Sequence, residues 1–179
     1  MKNYLFLTIL LFSFVGLYAQ KTLVPTDAGS KVHFVIRNFG INTGGDLAGL
    51  KGSIKVIPNN PAASIIDVTV QVSTIDTDNE RRDNHLKTDD YFDVAKYPTI
   101  HIVSSKISST ATPGSYIFNG NLTIKGVTKP ISFPFTTVVS NGASVFSGEF
   151  SINRLDYGVG KESATMSDDV KVQLTVAAK

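Results

Sequence analysis

Few residues in this chain are equipped for chemistry, and most of them gather in one stretch. Seven of its fifteen Asp and Glu residues lie between Asp76 and Asp93. Asp76, Asp78 and Glu80 have the alternating spacing of a calcium loop, whose oxygen ligands come from every second residue. Arg81 stands where such a loop turns on Gly, however, and Lys87 where it closes on a bidentate Glu. The acidic run therefore reads as a solvated connection, and no metal site is expected. His85 follows Asp83 by two residues, and a His/Asp pair could be two-thirds of a hydrolytic triad. No Gly-x-Ser-x-Gly elbow supplies the nucleophile. In the plainer alternative, Arg82, Asp83 and His85 tie this segment to its scaffold by hydrogen bonds. His33 and His101 are isolated, with no second ligand at metal spacing. Gly158-Val159-Gly160-Lys161 looks superficially like a phosphate loop, but Leu155 replaces its first Gly. A flexible loop is expected there.

Arg154 poses a sharper question. It continues the parity of Phe146, Gly148, Phe150 and Ile152, so simple alternation aims it inward. A guanidinium among apolar groups is costly unless paired. Asp156, at the same parity, is the candidate partner. Either the two close one end of the scaffold, or Arg154 meets the polar head of a ligand whose tail lies inside.

The elements that must position these groups read as strands with a period of two. Val32, Phe34, Ile36 and Asn38 share a face, as do Leu50, Gly52, Ile54 and Val56. Ile66, Val68, Val70 and Val72 make the third face; Ile100, Ile102 and Ser104 make the fourth. Tyr116, Phe118, Gly120, Leu122 and Ile124 follow, then Ile131, Phe133 and Phe135. Phe146, Gly148, Phe150 and Ile152 precede a last face of Val170, Val172, Leu174 and Val176. Between the third and fourth strands sits RDNHLKTDDYFDVAKYP, Arg82 to Pro98, a helix-compatible insert with Leu86, Tyr91, Phe92 and Tyr97 among its charges.

Asn59-Asn60-Pro61, Pro113-Gly114, Gly126 and Asn141-Gly142 supply turns between these runs. Pro134 lacks a ladder donor, so the sixth strand is expected to end, bulge or fray there. Inward Gly52, Gly120 and Gly148 suit sharp bends or open interior space. Eight antiparallel strands, each with one apolar face, can form a sandwich or a barrel. Closure removes exposed edges, and an eight-stranded barrel is about wide enough for one slender ligand. The barrel is the expected fold.

Met1 to Ala19 carries Lys2 and then the fifteen-residue apolar run YLFLTILLFSFVGLY. That is shorter than the ~18 residues of a spanning helix. It reads as a signal peptide cleaved after Ala19, leaving one exported domain from Gln20 to Lys179, with a periplasmic location expected and secretion as the alternative. The chain has no Cys, which excludes disulfides, thiol catalysis and thiolate metal sites. Loss of Lys2 takes the formal charge from +2 to +1, and there is no basic cluster, so nucleic acid is not an expected partner.

Five blocks in order carry a family resemblance. They are SKVHFVIRNFGINTGGDLAGLKGSI, RRDNHLKTDDYFDVAKYPTIHIVSS, GNLTIKGVTKPISF, FSGEFSINRLDYGVG and SDDVKVQLTV. Together they resemble the YceI-like family of polyisoprenoid-binding, exported proteins, from Ser30 to the C-terminus. Asn38 departs from the pattern, where many relatives carry His, so no histidine role is transferred there.

The resemblance implies an all-β, lipocalin-like barrel of eight antiparallel strands around an apolar tunnel, with the short helical insert between strands three and four. It implies binding of an isoprenoid or other long-chain lipid, of quinone or polyprenyl type, without a cofactor or catalytic residue. Phe34, Ile36, Phe118, Leu122, Phe150, Ile152, Val172 and Leu174 are the expected lumen contacts. Arg154, Asp156, His85, Leu86, Phe92 and Tyr97 are the expected polar or lid contacts. Each buried methylene contributes about 0.8 kcal/mol, so a few isoprene units would suffice to hold such a chain. Transient membrane contact and a homodimer stay open. Two other readings stay open as well: a barrel hydrolase or isomerase using His85 or Arg154, and a structural module with a filled core.

Overall fold

The computed structural model describes residues 20–179, so the expected leader lies outside the described residues. Nine strands follow in chain order: β1 (Lys21–Leu23), β2 (Pro25–Asn38), β3 (Ile41–Val56), β4 (Ile65–Asp76), β5 (Thr99–Ser109), β6 (Ser115–Ile124), β7 (Val127–Ser140), β8 (Ala143–Asn153) and β9 (Met166–Ala178). A helix, α1 (Glu80–Leu86), lies between β4 and β5. The strands pair antiparallel in the order β1-β3-β2-β9-β8-β7-β6-β5-β4, and β3 also pairs with β4. β2 to β9 thus close into an eight-stranded barrel, as expected for the fold class.

Alternation located these eight strands but misjudged four local features. β1 is an addition: Lys21, Thr22 and Leu23 pair with Val56, Lys55 and Ile54. β2 begins at Pro25, because a register shift between Thr26 and Lys31, with Gly29 at φ +82°, breaks the alternation that would have announced its first half. β3 begins at Ile41, joined to β2 by the two-residue turn Phe39–Gly40, with φ of +49° and +77°. Such a turn normally draws Asn or Gly, so Phe39 hid it.

The fourth is Pro134, where β7 neither ends nor frays. Counting from the tight turn Lys125–Gly126, Pro130 and Pro134 fall opposite Asn121 and Ile117, at positions that give β6 no hydrogen bond. On its other side β7 meets β8 only from Phe135↔Gly148 onward, to Ser140↔Ala143. The missing donors therefore face a stretch where the two strands have parted.

Three buried clusters fill the barrel in layers. At the end bearing the termini, Leu23, Ile54, Val68 and Ala178 pack with Phe146 and Val176. Ile107, Phe118, Phe133 and Phe135 form the middle layer. Leu122, Ile124, Tyr157 and Val159 pack near the opposite, upper end, joined by Tyr91 and Phe92. Gly120 and Gly148 serve these layers: a Cβ at Gly120 would meet Val103 O at 2.2 Å, and one at Gly148 would meet the Phe133 ring at 2.9 Å. The glycines let strands approach and rings lie flat against the wall, so they are filled positions, not open space.

Candidate functional site: an apolar lumen with a polar mouth

The inward faces enclose a cavity of about 380 Å³. Phe34, Ile36, Phe118, Leu122, Phe150, Ile152, Val172 and Leu174 all line it. Its walls differ. β6, β7 and β8 contribute stacked rings, with centroids 4.9 Å apart for Phe118–Phe133 and 4.7 Å for Phe133–Phe150. β2, β4 and β9 contribute aliphatic groups such as Val32, Ile36, Val68, Val70, Val170 and Val176. On β9 the lining runs from Met166 to Val176. That is roughly 33 Å of strand at ~3.3 Å per residue, or ~25 Å along the axis at a tilt of about 40°.

Polar groups concentrate at the upper end, where Asn38, Thr43, Thr77, Arg82 and His85 border the cavity. His85 is exposed yet lines the wall, which marks where the lumen meets solvent. α1 overhangs this mouth. Asn79 caps the helix by accepting from Arg82 N at 3.0 Å, satisfying a donor that a helix start leaves free. Arg82 Nε donates to Thr77 Oγ1 at 2.8 Å, and Thr77 N donates to Asp83 Oδ1 at 2.9 Å. Thr77 Oγ1 also donates to Asp83, so the carboxylate is engaged by the rim. His85 packs edge-on against Tyr91, with centroids 4.9 Å apart. Arg82 and Asp83 thus tie the insert to the rim through side-chain hydrogen bonds, whereas His85, expected to do the same, packs within the insert itself, against Tyr91.

Leu86 and Phe92 line the lumen, but Tyr97 does not. Its ring lies beneath the β6–β7 turn, 2.6 Å from where a Cβ on Gly126 would be. The insert is further fastened by Lys125 Nζ, which donates to Asp89 O at 2.7 Å and Gly158 O at 3.0 Å.

Arg154 is inward and 4% exposed, but its partner is not Asp156. Its Nη2 donates to Asp168 Oδ1 at 2.7 Å, Nε to Ser167 O at 3.0 Å and Nη1 to Val159 O at 3.0 Å. Asp156 is exposed and lies outside the lumen wall. Parity failed because β8 ends at Asn153, whose side chain accepts from Leu155 N and starts the 3-10 turn Arg154–Tyr157. Asp168 comes from the next strand, and nothing local in sequence marks it.

The segment Gly158–Gly160, expected as a flexible loop, is pinned. Val159 is buried, its carbonyl holds Arg154, and Gly160 N donates to Asp90 O at 3.0 Å. Tyr157 beside it is a buried lining residue that alternation missed. Burial, and secondarily the charge of Asp156, raise its phenol pKa above the ordinary value. Met166, Tyr91 and Val159 also line the cavity unanticipated. Tyr91 could have been singled out from its place in the insert; the other two lie outside any alternating run.

The YceI-like domain profile matches residues 23–178, nearly all of the described chain. The chain belongs to the YceI-like family. A UPF0312 protein of Pseudomonas aeruginosa is 30% identical over 132 residues, covering 70% of this chain and 68% of that one. BcnA of Burkholderia cenocepacia superposes with a TM-score of 0.78 at 25% identity, covering 84% of this chain and 96% of that one. A polyisoprenoid binding domain from Saccharophagus degradans, implicated in plant cell wall breakdown, has the same fold, with a TM-score of 0.66 at 13% identity over 88% of this chain and 97% of that one. The lumen of this YceI-like barrel is lined mostly by carbon, with most of its polar groups at the upper end and His33, Thr69 and Ser147 lower down.

Proposed function

We propose that the protein is an exported carrier that holds one polyisoprenoid-like chain, of quinone or polyprenyl type, in the barrel lumen. The observation that carries this is the long, apolar, one-mouthed cavity with a phenyl-lined wall. Flat ring faces suit the flat double bonds of an isoprenoid, and the aliphatic wall suits its methyl branches. Family membership and the polyisoprenoid binding domain of the same fold support the choice of ligand. A periplasmic location, or secretion, rests on the leader Met1–Ala19. A hydrolase at this mouth would need Asp83 to orient His85, whereas Asp83 is engaged by Thr77.

Native mass spectrometry after gentle purification tests the proposal. The protein is expected to retain one lipid or to take up an added polyprenol. Val172→Trp, placed between Phe34 and Phe150 in the ladder, is expected to fill the lumen and abolish uptake while the circular dichroism stays that of a β-barrel. A wild-type chain that carries no lipid and accepts none would sink the idea.

A further inference from the structure

The β2–β3 turn presents carbon to solvent beside the mouth. Phe39 is 74% exposed and Ile41 is 70% exposed, one on each side of Gly40. Turn geometry does not call for this. Phe39 sits at φ +49°, a conformation that costs an ordinary L-residue stability and that Asn or Gly fill more readily. Nor is the tip loose. Phe39 N donates to Thr165 O at 2.7 Å, and Arg37 Nε donates to Gly40 O at 3.1 Å. A strained turn thus holds two large apolar side chains outward.

Their place is as informative as their exposure. Asn38 pairs with both Ile41 and Met166, and Asn38 and Met166 line the lumen directly beneath the tip. Arg37 is the one charged residue in the segment from 36 to 43 and lies just behind the tip, at a depth where a guanidinium can reach head groups while apolar neighbours sit deeper. The described chain begins at the other end of the barrel, where β1 pairs with the end of β3, so its first residues do not cover the tip.

We propose that Phe39 and Ile41 form a membrane-docking tip that sets the lumen mouth against a lipid bilayer, so that the chain passes between bilayer and lumen without crossing water. This rests on the carrier function proposed above for the choice of cargo, but docking itself does not. Two side chains are far too few for a stable protein interface, which needs on the order of 1,200 Å². They suit a shallow, reversible hold on a lipid surface. The seven carboxylates between Asp76 and Asp93 at the same mouth repel anionic head groups, so the contact is expected to be made tip first and not to depend on anionic lipid.

The chain contains no Trp, so a single introduced indole reports its own surroundings. With phosphatidylcholine vesicles, Phe39→Trp is expected to shift to the blue and to be quenched by brominated acyl chains. Val139→Trp, at an 81% exposed site on the distal β7–β8 hairpin, is expected to do neither. The double variant Phe39→Asn/Ile41→Thr keeps residues that the turn and strand accept. It is expected to lower vesicle partitioning at least tenfold, since each large apolar side chain withdrawn from lipid forfeits about that factor, and to slow transfer of polyprenol from vesicles while native mass spectrometry still finds bound lipid. Quenching of Val139→Trp instead of Phe39→Trp, or partitioning untouched in the double variant, would overturn the proposal. So would concentration-dependent dimerisation that Phe39→Asn abolishes, which would assign the tip to a second copy of the chain. Membrane insertion by Phe39→Trp, together with a wild-type protein that never carries lipid, would retain the docking tip and overturn the carrier function.

Discussion

At the scale of single residues, Arg154 shows how far a side chain's role can be read from its number. Its parity correctly aimed it inward, and its need for a partner followed from the cost of an unpaired buried charge. The partner itself was illegible, because Asp168 lies beyond a 3-10 turn and a loop that parity cannot cross. Arg154 joins its own turn to the loop at Val159 and to the start of β9 at Ser167 and Asp168, so its loss is expected to be structural. Arg154→Leu should lower stability by about 2–4 kcal/mol, less than for a fully buried pair because Asp168 is partly solvated. Asp156→Asn should change it by less than ~0.5 kcal/mol. Urea melts of the two variants decide the matter, and equal losses would mean that the hydrogen bonds named here do not carry the clamp. Tyr157 gives a second test. Its folded pKa is raised, so the unfolded chain ionises first, from the ordinary value of 10.0. Stability is then fully present below that pH and falls as pH rises through the folded value. Alkaline melts of Tyr157→Phe should show a shallower decline than wild type, provided the variant still fills the upper layer.

At the scale of elements, period-two alternation revealed every strand whose inward face is continuous and missed each place where a bulge or a strained turn breaks the period. Gly29 hid the first half of β2, and Phe39 hid the hairpin that follows it. The β2–β3 turn carries a measurable cost for that disguise. Phe39→Asn should raise stability by roughly 0.5–1 kcal/mol, because Asn tolerates positive φ where Phe does not. A fall in melting temperature instead would show that Phe39 makes contacts stronger than its exposure suggests. The prolines of β7 invite the opposite experiment. They lie on the stretch Val127–Pro134, which has no partner in β8, and a bare strand edge templates aggregation unless blocked. Pro130→Thr/Pro134→Thr should leave urea stability within about 1 kcal/mol but bring light scattering on at a lower temperature. Unchanged scattering would mean that the parted edge is already covered by the Arg154–Tyr157 turn.

At the scale of the whole molecule, the barrel poses a question of capacity that its length and volume answer differently. An isoprene unit adds four bonds of about 1.5 Å to a chain, or roughly 5 Å once zigzag is allowed for, so ~25 Å of lumen is long enough for about five units. The cavity of about 380 Å³ holds fewer: at ~30 Å³ for each water-sized carbon group it takes some thirteen, or two to three units. The discrepancy has a physical source, since the stacked rings of Phe118, Phe133 and Phe150 narrow the middle of the tunnel. A ligand that binds only the folded state raises the melting temperature in proportion to the free energy of binding. In a series of polyprenols of increasing length, added to delipidated protein, each unit should therefore raise the midpoint strongly up to the third. The gain should then shrink as further units must push the phenyl wall aside, and cease by about the fifth, when the chain reaches the mouth beneath α1. A rise that continues without limit would place the chain outside the barrel. No rise at any length would mean a filled core, with the aromatic wall serving the fold alone.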